Sequence, residues 1–112
     1  MATFMELLPS TKESKKLMAI FYDGKRDKIK TVHFGSAGSK DFTKHPKDVR
    51  EDRKKAYIKR HEKRENWNLP MSAGALSKHI LWNLPTLEAS YKDYKKRFNI
   101  KKLYKKKVNK TL

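Results

Sequence analysis

The sequence predicts an α+β domain: an N-terminal β-hairpin packed with about three α-helices, followed by a basic C-terminal arm. Three observations carry this. Residues 15 to 35, KKLMAIFYDGKRDKIKTVHFG, place two strand-forming runs on either side of an Asp23-Gly24 turn. After residue 46 the apolar residues recur at three- and four-residue spacing, the period of a helix face. The last fourteen residues, NIKKLYKKKVNKTL, hold six lysines and no acid, a pattern of a charged arm rather than a core element. The expected organisation is therefore an N-terminal arm over 1–14, a small basic α+β domain over 15–98 and a lysine-rich arm over 99–112.

The first fourteen residues carry a small apolar patch, Phe4, Met5, Leu7 and Leu8, closed by Pro9. They read as a frayed terminus or as an anchor that docks on a neighbour or folds back over the core. Leu17 to Tyr22 is the first hairpin strand. Lys28 to Phe34 is the second, with Ile29, Thr31 and His33 on one face and Lys30, Val32 and Phe34 on the other. A loop of three to five residues joins them. An isolated hairpin is marginal, so one face must pack on helices or on another chain.

The segment 35–47, GSAGSKDFTKHPK, is a linking loop in which Gly35 and Gly38 provide backbone freedom and Phe42 plugs a gap. Pro46 suits a helix start. Asp48 with Glu51 has capping-box spacing, and Thr43 is the competing cap. The helix that follows covers roughly 47–64. Its apolar stripe of Val49, Ala56, Tyr57 and Ile58 is thin, and cations cover most of the remaining surface. Asn66 to Pro70 breaks it, with Trp67 and Leu69 as anchors. Ser72 caps the next helix, SAGALSKHILWN, whose buried face is Leu76, Ile80 and Leu84 with Leu81 alongside. Pro85 and Thr86 restart the chain. The last helix, near 87–98, has Leu87, Tyr91, Tyr94 and Phe98 at helical spacing and stops at Asn99. The expected packing anchors are Phe34, Phe42, Tyr57, Trp67, Leu76, Ile80, Trp82, Tyr91, Tyr94 and Phe98.

Charge sets the function classes. The 112 residues carry 29 Lys and Arg against 12 Asp and Glu, a formal charge of +17. Self-repulsion at that density calls for a partner that neutralises it: nucleic acid, an acidic protein surface or an anionic membrane. The candidate surface for that partner is Arg50, Arg53, Lys54, Lys59, Arg60, Lys63 and Arg64 on the basic helix, with Lys101, Lys102, Lys105, Lys106 and Lys107 on the arm. Arginine offers a fork of donors matched to phosphate or carboxylate. Cysteine is absent, which removes disulfides and thiolate chemistry. No apolar run approaches the ~20 residues of a membrane span. The N-terminus lacks the basic and apolar regions of a signal peptide, so synthesis in the cytosol or nucleus is expected.

Catalytic and metal frames do not assemble. His33, His45, His61 and His79 match no zinc spacing. RHEKRE superficially resembles the zincin motif, but position 65 is Glu65 where a second histidine is required. GSAG at 35–38 lacks the Walker spacing and the closing Gly-Lys-Ser/Thr, and it reads as a loop with unusual dihedrals, with an anion-binding nest as the alternative. Asp41 with His45, and His61 with Glu65, form local pairs at most. The expectation is a protein that is not an enzyme, with no cofactor, metal or small-molecule substrate.

The ordered series FG, DFT, Y-x-x-RH, E-x-W, GALS, ILWN and YKxYKKRF over residues 15–98 resembles a family of small basic proteins encoded by large double-stranded DNA viruses of algae and amoebae. The positions that carry it are Phe34, Gly35, Asp41, Phe42, Arg60, His61, Trp67, Gly74, Leu76, Trp82 and Tyr94. The resemblance implies a virion setting. The expected function is that of a minor capsid, or cement, protein on the inner side of the shell, made in the host cytoplasm or viral factory. Its partners would be the major and other minor capsid proteins, with viral DNA or the internal membrane surface as further anionic contacts. The alternative is a nucleic-acid-binding protein that packages or organises viral DNA.

Overall fold

The structure is a computed structural model, and it describes residues 3–102. A mixed α+β fold is what the chain adopts, with a four-stranded sheet in the order β3-β2-β1-β4. Strand β1 is Thr3–Pro9, β2 Lys15–Tyr22, β3 Lys28–Ser36 and β4 Ile100–Lys102. The helices are α1, Lys47–His61, α2, Ala73–Leu76, and α3, Leu87–Arg97. Helix α2 runs directly into a π-helical turn, Ser77–Leu81.

The hairpin of β2 and β3 forms around Asp23–Asp27. The Asp23 carboxylate accepts from the backbone N–H of Lys25 and of Asp27 at 2.9 and 3.0 Å, which ties the loop into an Asx-type turn. Register puts Leu17 opposite Phe34 and Ala19 opposite Val32. On the other side of β2, Met5 lies opposite Phe21 and Leu7 opposite Ala19. Side chains alternate across a pleated sheet. One face therefore carries Met5, Leu7, Leu17, Ala19, Phe21, Val32 and Phe34. The opposite face carries Phe4, Leu8, Met18 and Tyr22, all half-buried, with Ile20 buried among them.

Of the alternatives for the N-terminal segment, residues 3–9 take the one that folds back over the core rather than the frayed terminus. They form an inner strand, antiparallel to β2 and parallel to β4. Met5 has no solvent exposure. The strand was hard to read because both of its faces are apolar, so the period-2 alternation that marks a half-exposed strand is missing. The arm over 99–112 is also shortened at its start. Asn99 takes φ 53°, a left-handed residue that stops α3, and Ile100 enters β4 and is buried. Lys101 is exposed on β4, and Lys102 is placed by its pairing with Met5. Lys105, Lys106 and Lys107 lie outside the described residues.

The helical layer packs on the Met5–Phe34 face through Leu76, Ile80, Leu81 and Tyr94, with Trp82, Tyr91 and Phe98 partly buried around them. Burial of each such large side chain contributes about 1.5–3 kcal/mol. Helix α2 starts where expected: Ser72 Oγ accepts from the Ala75 N–H at 3.1 Å. Thr86 Oγ1 does the same for Ala89 at the start of α3, at 3.2 Å. The Tyr91 hydroxyl donates to the Met5 carbonyl at 3.2 Å, which joins α3 to β1.

Helix α1 departs from expectation in three ways. Pro46 is its N-cap and no side chain caps it, so neither Asp48 nor Thr43 plays that part. It ends at His61, not 64. Its stripe is narrower still: Tyr57 is buried, whereas Val49 is 36% exposed and Ala56 is exposed. Val49 and Ala56 are the apolar positions on its more exposed side.

Candidate functional site

The end of β3, the loop after it, α1 and the π-turn approach one another around a cleft of about 560 Å³. Its floor is built from Phe34, Gly35, Leu81 and Trp82. Gly35, at φ 79°, brings the backbone against Leu81: a Cβ there would lie 2.6 Å from Leu81 Cδ1. Gly38 also adopts positive φ, 84°. The loop is fastened to the π-turn by a hydrogen bond from the Phe42 N–H to the Leu81 carbonyl, 2.9 Å. The turn itself shows the i→i−5 bond of a π-helix, Trp82 N–H to Ser77 carbonyl at 3.2 Å. That extra residue per turn rotates Trp82 toward α1.

Along one wall the rings form a row. Trp82 stacks on Tyr57 at 4.8 Å and 8°, Tyr57 meets His61 at 4.4 Å, and His45 meets Trp82 at 5.8 Å. The Tyr57–Trp82 pair is the main seam that holds α1 to the body, worth about 0.5–1.5 kcal/mol beyond area burial. Lys54 adds a hydrogen bond from Nζ to the Asn83 carbonyl, 3.0 Å. The Tyr57 phenol is pushed up to about 12, chiefly by burial and then by the Glu65 charge, against opposing effects of a Ser77 hydrogen bond and Arg60. It stays protonated at neutral pH, a packed ring rather than a base.

Five cations reach the cleft: Lys15, Lys16, Lys40, Arg53 and Arg60. The cleft has two carboxylates, and both are already engaged. Asp41, 3% exposed, holds Lys16 Nζ at 2.7 Å and accepts from the Thr43 N–H at 2.9 Å. Glu65 faces His61 Nδ1 at 3.4 Å and accepts from Trp67 Nε1 at 3.0 Å. Among the described residues, Lys15, Lys40, Arg53 and Arg60 form no ion pair. Arg53 and Arg60 are seven residues apart on α1, so they lie on one face about 10 Å apart along the axis, with Tyr57 between them. What remains is a positive cleft with a ring-lined wall, suited to an anion that also has a flat apolar part.

The expected cationic surface divides into three groups. Arg50 and Lys54 turn toward the body, each over the Phe42 ring at 5.4 and 5.1 Å, and are structural cations. Arg53 and Arg60 line the cleft. Lys59, Lys63 and Arg64 are exposed beside it. Of the expected packing anchors, Phe34, Phe42, Tyr57, Leu76, Ile80 and Tyr94 are buried. Trp67, Trp82, Tyr91 and Phe98 are half-buried, and Lys78 lies over the Trp67 ring at 4.9 Å. The local pair of His61 and Glu65 is present. Asp41 and His45 meet only through backbone, with the His45 N–H donating to the Asp41 carbonyl at 3.2 Å. Sequence reasoning missed Lys15, Lys16 and Lys40 as cleft cations, because the sheet end that presents them is distant in sequence from α1. The signal available was the loop GSAGSKDFT, whose Gly35 and Asp41 both serve this junction. No group of three or more His, Asp or Glu among the described residues gathers as a metal site.

Residues 5–61 match a family of unknown function, DUF5754. That is just over half of the 112 residues. The chain belongs to this family. The matched stretch takes in β1 from Met5, then β2, β3 and the whole of α1, and so it includes both the loop and the basic helix that bound the cleft. No curated protein and no solved structure matches the chain.

Proposed function

We propose that this member of the DUF5754 family is a non-enzymatic structural protein of a virion, a minor capsid protein that cements shell subunits from the inner side. The observation that carries the binding half of this reading is the charge of α1 and its exit. From Arg53 to Arg64 the chain has seven cations and one acid, Glu62, and the exposed Lys55, Lys59 and Lys63 form no ion pair with any described residue. A cationic face of that kind lies against acidic protein surface, where many weak contacts sum. The virion half rests on the resemblance of residues 15–98 to the viral family.

Zero-length coupling of lysine amines to carboxylates in purified particles, followed by mass spectrometry, tests this. The expected products join Lys55, Lys59 or Lys63 to aspartates and glutamates of shell proteins. A protein absent from particles, or one whose only neighbours are genome-bound proteins, would overturn the reading in favour of genome packaging.

A further inference from the structure

We propose that the cleft between α1 and the open end of the sheet is a binding site for a nucleoside phosphate, with Arg53 and Arg60 on the phosphates and the Trp82 ring beside the base. The inference does not depend on a capsid role. It uses the cleft side of α1, not the outer lysines.

Four features point to this ligand. The cleft volume of about 560 Å³ falls in the range of small-ligand sites, roughly 300–1,000 Å³. Its carboxylates are engaged by Lys16, Thr43, His61 and Trp67, so the charge left over for a ligand is positive. The unpaired donors include two guanidiniums, whose planar forks match phosphate oxygens in two-point contact. Their backbone positions lie about two helical turns apart along α1, a span that the two long side chains can close onto different phosphate groups of one ligand. Finally, Trp82 lines the cleft and is half-buried; Tyr57 is stacked on one of its faces and His45 is tilted beside it, so its ring edge is what is left for a base, in edge-to-face contact beside the cationic groups. A carboxylate partner would use the cations but not the half-buried Trp82 edge that faces the cleft.

The source of the phosphate can be a free nucleotide or a strand, and one experiment separates them. A short fluorescein-labelled oligothymidylate is titrated against the full chain at physiological salt, with ATP and a poly-glutamate peptide as separate competitors. Two double variants remove equal charge: Arg53→Ala/Arg60→Ala in the cleft and Lys59→Ala/Lys63→Ala outside it. All four side chains are exposed, so both variants fold. The cleft variant is expected to weaken binding by about tenfold per arginine, the scale of a lost charge-assisted hydrogen bond. The outer variant is expected to change it less than threefold, a shift of roughly the size that two screened surface charges give. Oligonucleotide binding with this dependence, and little competition by ATP, assigns a strand. Competition by ATP with the same dependence assigns a free nucleotide. Equal weakening in both variants, equal competition by poly-glutamate, or no binding would each overturn the site.

Discussion

At the residue scale, two glycines with nearly the same dihedral have different neighbourhoods. Gly35 and Gly38 both sit at positive φ, 79° and 84°. A Cβ at Gly38 meets nothing within 4 Å, whereas one at Gly35 meets Leu81 Cδ1 at 2.6 Å. Gly38→Ala should therefore cost about 1 kcal/mol, the left-handed penalty alone. Gly35→Ala should cost about 2–4 kcal/mol, since overpacking against a buried leucine is added. Urea unfolding of the two variants gives the comparison. Equal losses would mean that Leu81 yields freely. The need for glycine was legible in GSAG, but which of the two is crowded was not, because Leu81 is far away in sequence.

His79 gives the pH-dependent counterpart. It is 5% exposed, sits on the π-turn, and donates from Nε2 to the Trp67 carbonyl at 3.1 Å, which fixes a neutral tautomer. Burial depresses its pKa below 6.5, with Lys78 and Arg97 acting in the same direction and the Trp67 bond and Asp93 opposing. Below pH 6.5 the unfolded chain binds a proton that the folded chain refuses. The stability contributed by neutral His79 is thus fully present above that value and is lost as pH falls toward the folded pKa. Denaturation midpoints measured between neutrality and mild acid should fall for the parent protein. The fall should be smaller for His79→Gln, whose side chain does not titrate. The same slope in both proteins would assign the acid sensitivity elsewhere.

At the element scale, the helices were legible and the inner strand was not. Ser72 announced α2 because a serine before a helix offers an acceptor to a free N–H, and the stripe Leu87, Tyr91, Tyr94, Phe98 announced α3 through its period. Strand β1 gave no such sign. Phe4 and Leu8 on one face match Met5 and Leu7 on the other, so the run looks like a patch without direction. Its partner β4 comes from beyond α3 and forms a parallel pair that no local turn could reveal. The position of β1 has a direct consequence. Removing residues 1–9 takes out a strand paired on both edges, exposes Phe21 and Ala19, and deprives Tyr91 of its acceptor at Met5. That deletion should abolish the folded state, seen as loss of dispersed amide resonances. A milder probe is Met5→Ala, expected to cost about 2–5 kcal/mol as a cavity at a fully buried site. A folded, cooperatively melting deletion protein would restore the view of this segment as an arm.

At the scale of the whole molecule, one quantity couples fold and partner: an excess of positive charge with few internal counter-ions. The described residues contain two ion pairs between permanently charged partners, Lys16–Asp41 and Arg97–Asp93, and a His61–Glu65 contact that is one only when the imidazole is protonated, against a formal charge of +17 over the chain with histidine counted neutral. Repulsion then outweighs attraction, and screening should stabilise the fold. Raising sodium chloride from about 0.01 M to 0.15 M shortens the screening length from about 30 Å to 8 Å, so the melting temperature should rise. Phosphate at matched ionic strength screens equally. Any further rise it gives reports anion binding to the native state, which follows mass action. If the cleft collects that anion, the extra stabilisation should disappear in Arg53→Ala/Arg60→Ala and survive in Lys59→Ala/Lys63→Ala. The chloride-dependent rise should persist in both, since two charges are a small part of the total. A phosphate effect insensitive to the cleft arginines would place the anion on the diffuse cationic surface, and a melting temperature that falls with chloride would show that attractive pairs dominate.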